Sequence, residues 1–494
     1  MKGDMILVVD LGGYQARSIA RMLRGLSVYC EISRPGKALQ RLEGCRGIII
    51  AGEGNGHFDH RLIDAGLPVM ALGRASRMLC DVLGGQCLST QLEDRTAIIS
   101  FNDSPLFDGI MESERYFEKV DMLELPEDCS PIAHISGGLI PAFADNARRL
   151  YGLQFYAETH DPDGMQILAN FATGICGCEA WWSLDTFASE TIEELRTQIG
   201  DGTALLSISG GVDSAVCAAL MHKAVGDRLK CIYVNTGLMR LGEPEMVKQM
   251  FSEQMGLELI TVDASERFMA KLAGITDADA KRAVVREEML NVVADEARKL
   301  GKVEFLVQGT IYPDLLEKDS ADSSAANAPR TLMNHIEFDV LVEPLRRLFK
   351  DEVRVLGEYL GMSRDLIGRQ PFPEAGLAVR CIGEVTREKL NILSRADAIF
   401  RAEITDAGLD KRIWQYFAIL TGVETLGIKN GTISRGYAVA LRAVQSKDAM
   451  SAIYYRLPYD LLERVVERIT REIPQINRVL YDLTGKPPAL IEWE

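Results

Sequence analysis

Twice along this chain of 494 residues, short apolar runs alternate with helical patterns, and that alternation narrows the fold more than any other feature. Strands covered on both faces read as continuous Val/Ile/Leu runs, and strands separated by helices pair in parallel. The first series holds Ile6-Leu-Val-Val9, Gly47-Ile-Ile-Ile50, Pro68-Val-Met-Ala-Leu72 and Tyr151-Gly-Leu-Gln-Phe155. It predicts an α/β domain with a largely parallel sheet from Met5 to about Ala172, with a helical connector around Gly164 to Ala180. The second series begins at Thr203, with strand candidates Leu205 to Ser209, Cys231 to Val234, Leu257 to Val262 and Glu304 to Val307. Amphipathic stretches such as Glu243 to Met255 separate them, which predicts a second doubly wound domain. After Gln370-Pro-Phe-Pro373 the pattern changes to long helices and short strands, read as a third, α+β domain. Three domains suit the length, since one core stops growing at roughly 250–300 residues. Residues Asp319 to Arg330 are small and polar without apolar period, and read as a mobile loop of the lid kind.

The densest chemical signal is Ser209-Gly210-Gly211-Val212-Asp213-Ser214, which follows the apolar run Ala204 to Ile208 and opens the helical pattern Ala215 to Ala224. A strand that feeds a glycine-rich turn and then a helix aims free N–H groups and the positive helix end at one point, which suits a phosphate. Gly210 and Gly211 admit close backbone approach, the Ser209 and Ser214 hydroxyls can donate, and the Asp213 carboxylate can hold Mg2+ or cap the helix. No lysine precedes the final serine, so this is not a Walker A loop. The expected ligand is ATP.

A formal charge of −16 argues against an extended nucleic-acid surface, although it leaves room for a local basic pocket. No apolar run approaches membrane-spanning length and the first residues lack a signal-peptide profile, so the expectation is a cytoplasmic protein without a membrane partner. Ten scattered cysteines fit reduced thiols better than a disulfide framework, and the spacing of Cys176-Gly-Cys178 matches neither the usual redox nor the usual zinc motif.

Several further strings, in order, resemble the GMP synthetase family along essentially the whole chain. Beside the glycine loop they are Gln308-Gly-Thr-Ile-Tyr-Pro-Asp314, Leu341-Val-Glu-Pro-Leu345, Leu348-Phe-Lys-Asp-Glu-Val-Arg354, Arg369-Gln-Pro-Phe-Pro373, Leu457-Pro-Tyr-Asp460 and Lys486-Pro-Pro-Ala-Leu-Ile-Glu-Trp-Glu494. The resemblance implies a class I glutamine amidotransferase domain over 1–180, a PP-loop ATP pyrophosphatase domain over 181–373 and a dimerisation domain over 374–494, hence a homodimer. It implies that ATP adenylates the base oxygen of XMP, that pyrophosphate leaves, and that ammonia displaces AMP to give GMP. Ser209 to Ser214 would hold the pyrophosphate portion, Asp213 would hold magnesium, Lys350 would add positive charge, and Asp314 would lie near the reacting centre. Gln308, His335, Lys486 and Glu492 would contact the purine nucleotide. On the residues alone, Lys350 reads equally well as a solvated helix-start residue and Asp314 as a turn residue.

The chain departs from the family pattern at named positions. An amidotransferase needs a cysteine at a strand-to-helix elbow, a histidine base and an orienting carboxylate. An ungapped match of Pro68 to Gly85 puts Gly73 where the cysteine belongs, and Gln154-Phe-Tyr-Ala-Glu158 puts Tyr156 where the histidine belongs, keeping only Glu158. Cys80 lies about two helical turns past the elbow. His160 reads as a surface or turn histidine. The oxyanion turn becomes Gly52-Glu53-Gly54, which brings in a carboxylate. Glutamine hydrolysis by this domain is therefore not expected, and ammonia would arrive free or from an external amidotransferase. Asn235 replaces an aspartate, Met333 replaces the lysine of Leu332-Met-Asn-His-Ile-Glu337, and Asn430-Gly-Thr-Ile-Ser-Arg-Gly436 replaces a stretch associated with XMP, with Arg435 as a displaced charge. Pro373-Glu-Ala-Gly376 and Leu490 also differ. The ATP side is kept better than the acceptor side, which leaves two rivals: a paralogue that adenylates another acceptor, and a nucleotide-binding pseudoenzyme with a regulatory role.

Overall fold

The computed structural model describes residues 4–89, 96–110, 112–117, 120–135, 139–157, 162–318, 338–429, 431–446 and 451–494. They form two compact units, Met1–Phe187 and Ala188–Glu494. The expected loop Asp319 to Arg330 lies outside the described residues.

In the first unit β1 (Met5–Asp10), β2 (Cys30–Ser33), β3 (Cys45–Ala51), β4 (Val69–Leu72) and β11 (Leu150–Leu153) make the parallel half of a nine-stranded sheet in the order β2-β1-β3-β4-β11. The apolar runs form its fully buried centre, with Ile6 to Val9, Ile48 to Ile50 and Val69 to Met70 shielded from solvent. The sheet then continues antiparallel through β10 (Ala142–Asp145), β9 (Ser130–His134), β6 (Thr96–Phe101) and β7 (Glu112–Tyr116). This extension is less legible in sequence because β6 is half exposed and carries no continuous apolar run. A separate two-stranded ribbon pairs β5 (Gln86–Ser89) with β8 (Asp121–Glu124).

In the second unit β12 (Ala204–Ile208), β13 (Leu229–Asn235), β14 (Leu259–Asp263), β15 (Phe305–Val307) and β16 (Val340–Val342) form a parallel sheet in the order β14-β13-β12-β15-β16. The chain leaves β12 in one direction for β13 and β14 and returns beside it for β15 and β16. The carboxyl end of β12 is therefore the topological switch point, where open α/β sheets bind ligands. The Ser209–Ser214 segment sits there.

Residues 374–494 correct one expectation. Their principal strands are not short: β17 (Gln415–Lys429) and β18 (Thr432–Gln445) are 15 and 14 residues long and pair as an antiparallel hairpin. The alternating burial of their outer half hides them from a search for apolar runs. β19 (Ile453–Tyr454) and β20 (Ile476–Tyr481) flank β18, and the helices Arg387–Asp406 and Tyr459–Glu472 cover the sheet. One continuous core runs from Leu205, Ile232 and Phe268 through Val379 to Phe400, Leu441 and Ile469.

Arg442 fastens the last residues to that sheet. It is fully buried, and its guanidinium donates to the carbonyls of Ile491 (2.8 Å), Leu490 (2.8 Å) and Thr484 (2.9 Å) and pairs with Asp482. Removing one partner of a buried ion pair leaves the other uncompensated. Arg442→Met is expected to destabilise the second unit by about 3–5 kcal/mol, read as a lower denaturant midpoint with earlier proteolysis at the carboxyl end.

Candidate functional site

The glycine loop turns the chain from β12 into a helix within two residues. Gly210 has φ +76°, a left-handed conformation that strains any L side chain, and a Cβ there would come within 2.9 Å of Val247. Gly211 then turns extended and caps the helix Val212–Val225, so the amides of the first turn have no helical acceptor. Ser214 Oγ donates to the Gly211 carbonyl at 3.0 Å, which leaves Ser209 Oγ to donate to Ser214 Oγ at 3.1 Å while accepting the Gly211 amide at 3.2 Å. The two hydroxyls therefore brace the loop from inside.

Two cations hold the loop from outside. Lys350 opens the helix Lys350–Tyr359 and its Nζ donates to Asp213 Oδ2. Asp213 Oδ1 is buried and accepts no hydrogen bond. Arg369 donates to the Gly210 carbonyl and pairs with buried Glu243, whose other oxygen accepts the Arg240 amide at 3.3 Å. Gly309 comes so close that a Cβ would meet the Asp213 carbonyl carbon and the Ser214 nitrogen at 3.3 Å. Arg369, Glu243 and Gly309 escaped the sequence reading, although Arg369 and Gly309 lie within strings already singled out. Partners 126 and 159 residues apart in the chain carry no local signal.

Val212 is the first helical residue and is buried against the core. Gln308 follows β15 and continues its ladder by donating its amide to Val342 at 2.9 Å. Asp314 is exposed in the first turn of the helix Tyr312–Lys318, where its Oδ2 accepts the Ile311 amide at 2.9 Å. That bond makes the turn role real. Asn235 closes β13 with an Asx turn onto Gly237 at 3.1 Å, which an amide oxygen performs as well as a carboxylate. Glu492 receives bonds from fully buried Arg380 at 2.6 and 2.9 Å and from Gln415 at 3.1 Å. The Lys486 backbone pairs with Ala452. Both are fixed to the β17–β18 sheet, whereas Arg435 stands 80% exposed on the hairpin and pairs with Glu424 at 3.7 Å. His335, Met333, Glu158 and His160 lie outside the described residues.

In the first unit the strand-to-helix elbow is kept. β4 ends at Leu72, Gly73 takes φ +56° and ψ −123°, and the helix Arg74–Val82 begins. The space over the elbow is filled. Tyr156 Oη donates to Glu53 Oε1, and the Arg74 amide approaches the same oxygen at 3.4 Å. A Cβ on Gly73 would lie 2.6 Å from that oxygen and 3.0 Å from the Tyr156 ring. The amides of Glu53 and Gly54 are turned away, donating to the Gly12 carbonyl at 2.8 and 3.2 Å. A carboxylate thus stands where elbow amides would receive a developing oxyanion. Cys80 is fully buried on the helix, with its sulfur toward the Glu124 carbonyl at 3.9 Å.

All ten cysteines are free thiols. Burial pushes Cys45 and Cys231 up to about 12 and Cys178 to about 11, so they stay protonated near neutrality. Among the described residues no group of three metal-ligating side chains occurs and no helix is long and apolar enough to cross a membrane.

A parallel sheet whose switch point carries a bracketed glycine loop and an open helix end defines a nucleotide-binding α/β protein of the non-Walker class. Comparison narrows this. A family model described as the GMP synthase C terminal domain matches residues 402–493. The chain is 42% identical over 509 residues to a "GMP synthase [glutamine-hydrolyzing]" of Symbiobacterium thermophilum, covering 99% of each. It is 40% identical over 511 residues to the protein of the same name from Clostridium tetani, covering all of both. The chain belongs to the GMP synthase family. The crystal structure of a glutamine amidotransferase from Thermotoga maritima aligns with 36% of this chain and 85% of its own at 15% identity and TM-score 0.29, a likeness too slight to build on.

The packing over the elbow yields a direct test. Gly73→Ala is expected to destabilise the first unit by about 1–3 kcal/mol, and Glu53→Ala in the same chain should recover part of the loss, as measured by denaturant titration of the single and double variants.

Proposed function

We propose that this protein is an ATP-dependent ligase that activates the base oxygen of XMP and aminates it to GMP, with ammonia that its own first domain does not make. The observation that carries the reading is the Ser209–Ser214 cradle at the switch point, with Lys350 on Asp213 and Arg369 on Gly210. The acceptor oxygen attacks the α-phosphorus of ATP, the bond to pyrophosphate breaks, and ammonia then displaces AMP together with that oxygen. The free amides of the Val212–Val225 helix and the Ser209 and Ser214 hydroxyls hold the departing pyrophosphate. Lys350 has to exchange its bond with Asp213 for one to phosphate as ATP enters, leaving that carboxylate to a cation.

One carboxylate with an unused buried oxygen fits magnesium, which keeps most of its waters and takes its other ligands from phosphates. When bound, the ion supplies positive charge to the pyrophosphate leaving group. Asp213→Ala and Lys350→Met are each expected to lower ATP–pyrophosphate exchange with XMP by at least about a hundredfold, with thermal stability little changed. Undiminished exchange would remove the loop from the chemistry. Exchange with IMP or another purine nucleotide, and none with XMP, would favour the paralogue; no exchange with any acceptor would favour the regulatory pseudoenzyme.

The amine source follows from the elbow. Gly73 offers no nucleophile, the Tyr156 hydroxyl is engaged by Glu53, and the Glu53 carboxylate stands over the elbow. GMP formation is expected with ammonium salts and not with glutamine, a difference of several orders of magnitude for lost catalytic groups. Glutamine-driven turnover by the purified chain would refute the reading.

The proposed homodimer draws support from the outer half of the β17–β18 hairpin, where Val423, Leu426, Ile428 and Ile433 are 57%, 62%, 78% and 77% exposed. An exposed apolar strand pair is an association surface unless covered. Sedimentation should give a dimer that Ile428→Lys with Ile433→Lys converts to a monomer.

A further inference from the structure

Beside the loop, on the far side of Arg369, lies a cavity of about 650 Å3 inside the second unit. That volume is in the range of small-molecule sites. Seven cationic side chains line it against two carboxylates, Glu243 and Asp410, in a chain whose overall charge is −16. Glu243 is already taken by Arg369. Arg354, Arg364, Arg401, Lys411 and Arg412 line the cavity and form no ion pair among the described residues.

Arg240 is the deepest of the set. It is 8% exposed, and its Nε and Nη2 are buried without a hydrogen bond. Its Nε forms an ion pair with buried Asp397 at 3.9 Å but no hydrogen bond, and its guanidinium lies over the Phe372 ring at 4.4 Å. Arg401 Nη1 and Arg354 Nε are likewise buried and unbonded. Burial first, and the neighbouring Arg401 charge next, push the Arg240 guanidinium down to about 10. Buried cations without acceptors are costly to a fold unless an anion completes them. Trp414 and Tyr416 add aromatic surface to the same wall.

We propose that this cavity is a second anion site that takes a phosphorylated small molecule, with Arg240 and Arg401 as its inner cations and Arg364, Lys411 and Arg412 at its mouth. None of Ser209 to Ser214 lines it, and neither do Gln308, Lys486 and Glu492, so it is separate from the loop and from the described residues assigned to the acceptor. Arg369 belongs to both the wall of the cavity and the brace of the loop. Occupancy of one site is therefore felt at the other through a single guanidinium.

The test uses the full chain and inorganic pyrophosphate in a calorimetric titration. In a chain carrying Asp213→Ala and Lys350→Met, one pyrophosphate per chain should still bind. Adding Arg364→Glu with Arg412→Glu, both at the mouth, should weaken that binding at least tenfold, and Arg401→Ala should weaken it independently. Absence of binding in the loop variant, or binding indifferent to both sets of cavity substitutions, would overturn the proposal. Because the cavity variants are also titrated with the loop intact, a failed loop assignment and a failed cavity assignment give different patterns.

Discussion

The geometry of Gly210 and Gly211 at the end of β12 is the constraint on which the second unit's chemistry depends. A left-handed residue followed by an extended one turns the chain from a buried strand into a helix within two residues, and only then do the first amides of Val212–Val225 face one point. Such a turn does not hold itself. Ser209 and Ser214 tie it from within, Arg369 ties the Gly210 carbonyl from Glu243, and Gly309 lets the segment after β15 approach the Asp213–Ser214 backbone. The Lys350–Asp213 ion pair completes the arrangement. Arg369, Glu243 and Gly309, from segments outside the loop, thus hold its shape.

The two units carry the same structural device and treat it in opposite ways. Each has a strand, a glycine at positive φ and a helix. In the second the glycine is closed in by Val247 and Arg369, and the cations Arg369 and Lys350 hold the loop. In the first the space beyond Gly73 is taken by Glu53 and Tyr156, held together by a hydrogen bond. Packing of that quality amounts to more than a missing nucleophile: restoring a cysteine at residue 73 alone would drive its Cβ into the Glu53 carboxylate. Relatives named as glutamine-hydrolysing share about two-fifths of the sequence. The fold is therefore shared, while the elbow is filled in this chain.

How much of this could be read from the sequence depends on how local the cause is. β1, β3, β4 and β11 to β13 were visible because burial on both faces demands unbroken apolar runs, and β14 and β15 carry such runs too, although β14 is only half-buried. The antiparallel strands β6 and β9 and the long hairpin β17–β18 were less visible because part of each faces water, and β10, though buried, is only four residues long. Ser209 to Ser214 was legible since the turn and the helix start are contiguous, and Gly73 and Tyr156 were legible against a family pattern. Glu53 was noticed as an opposing charge, but its bond to Tyr156 joins residues 103 apart in the chain. The brace through Arg369 and the cations around the neighbouring cavity were not legible at all. They are assembled from five or more separate segments, and only the folded chain brings them together.

Joining a base oxygen of the acceptor to AMP is the step on which the proposed reaction turns. The most direct measurement is a single turnover with XMP carrying 18O at the base oxygen to be replaced, with ATP, magnesium and ammonia, followed by mass analysis of the AMP released. The expected products are AMP heavier by one 18O and GMP that has lost the label. Unlabelled AMP, with the heavy oxygen recovered in water, phosphate or pyrophosphate, would contradict it.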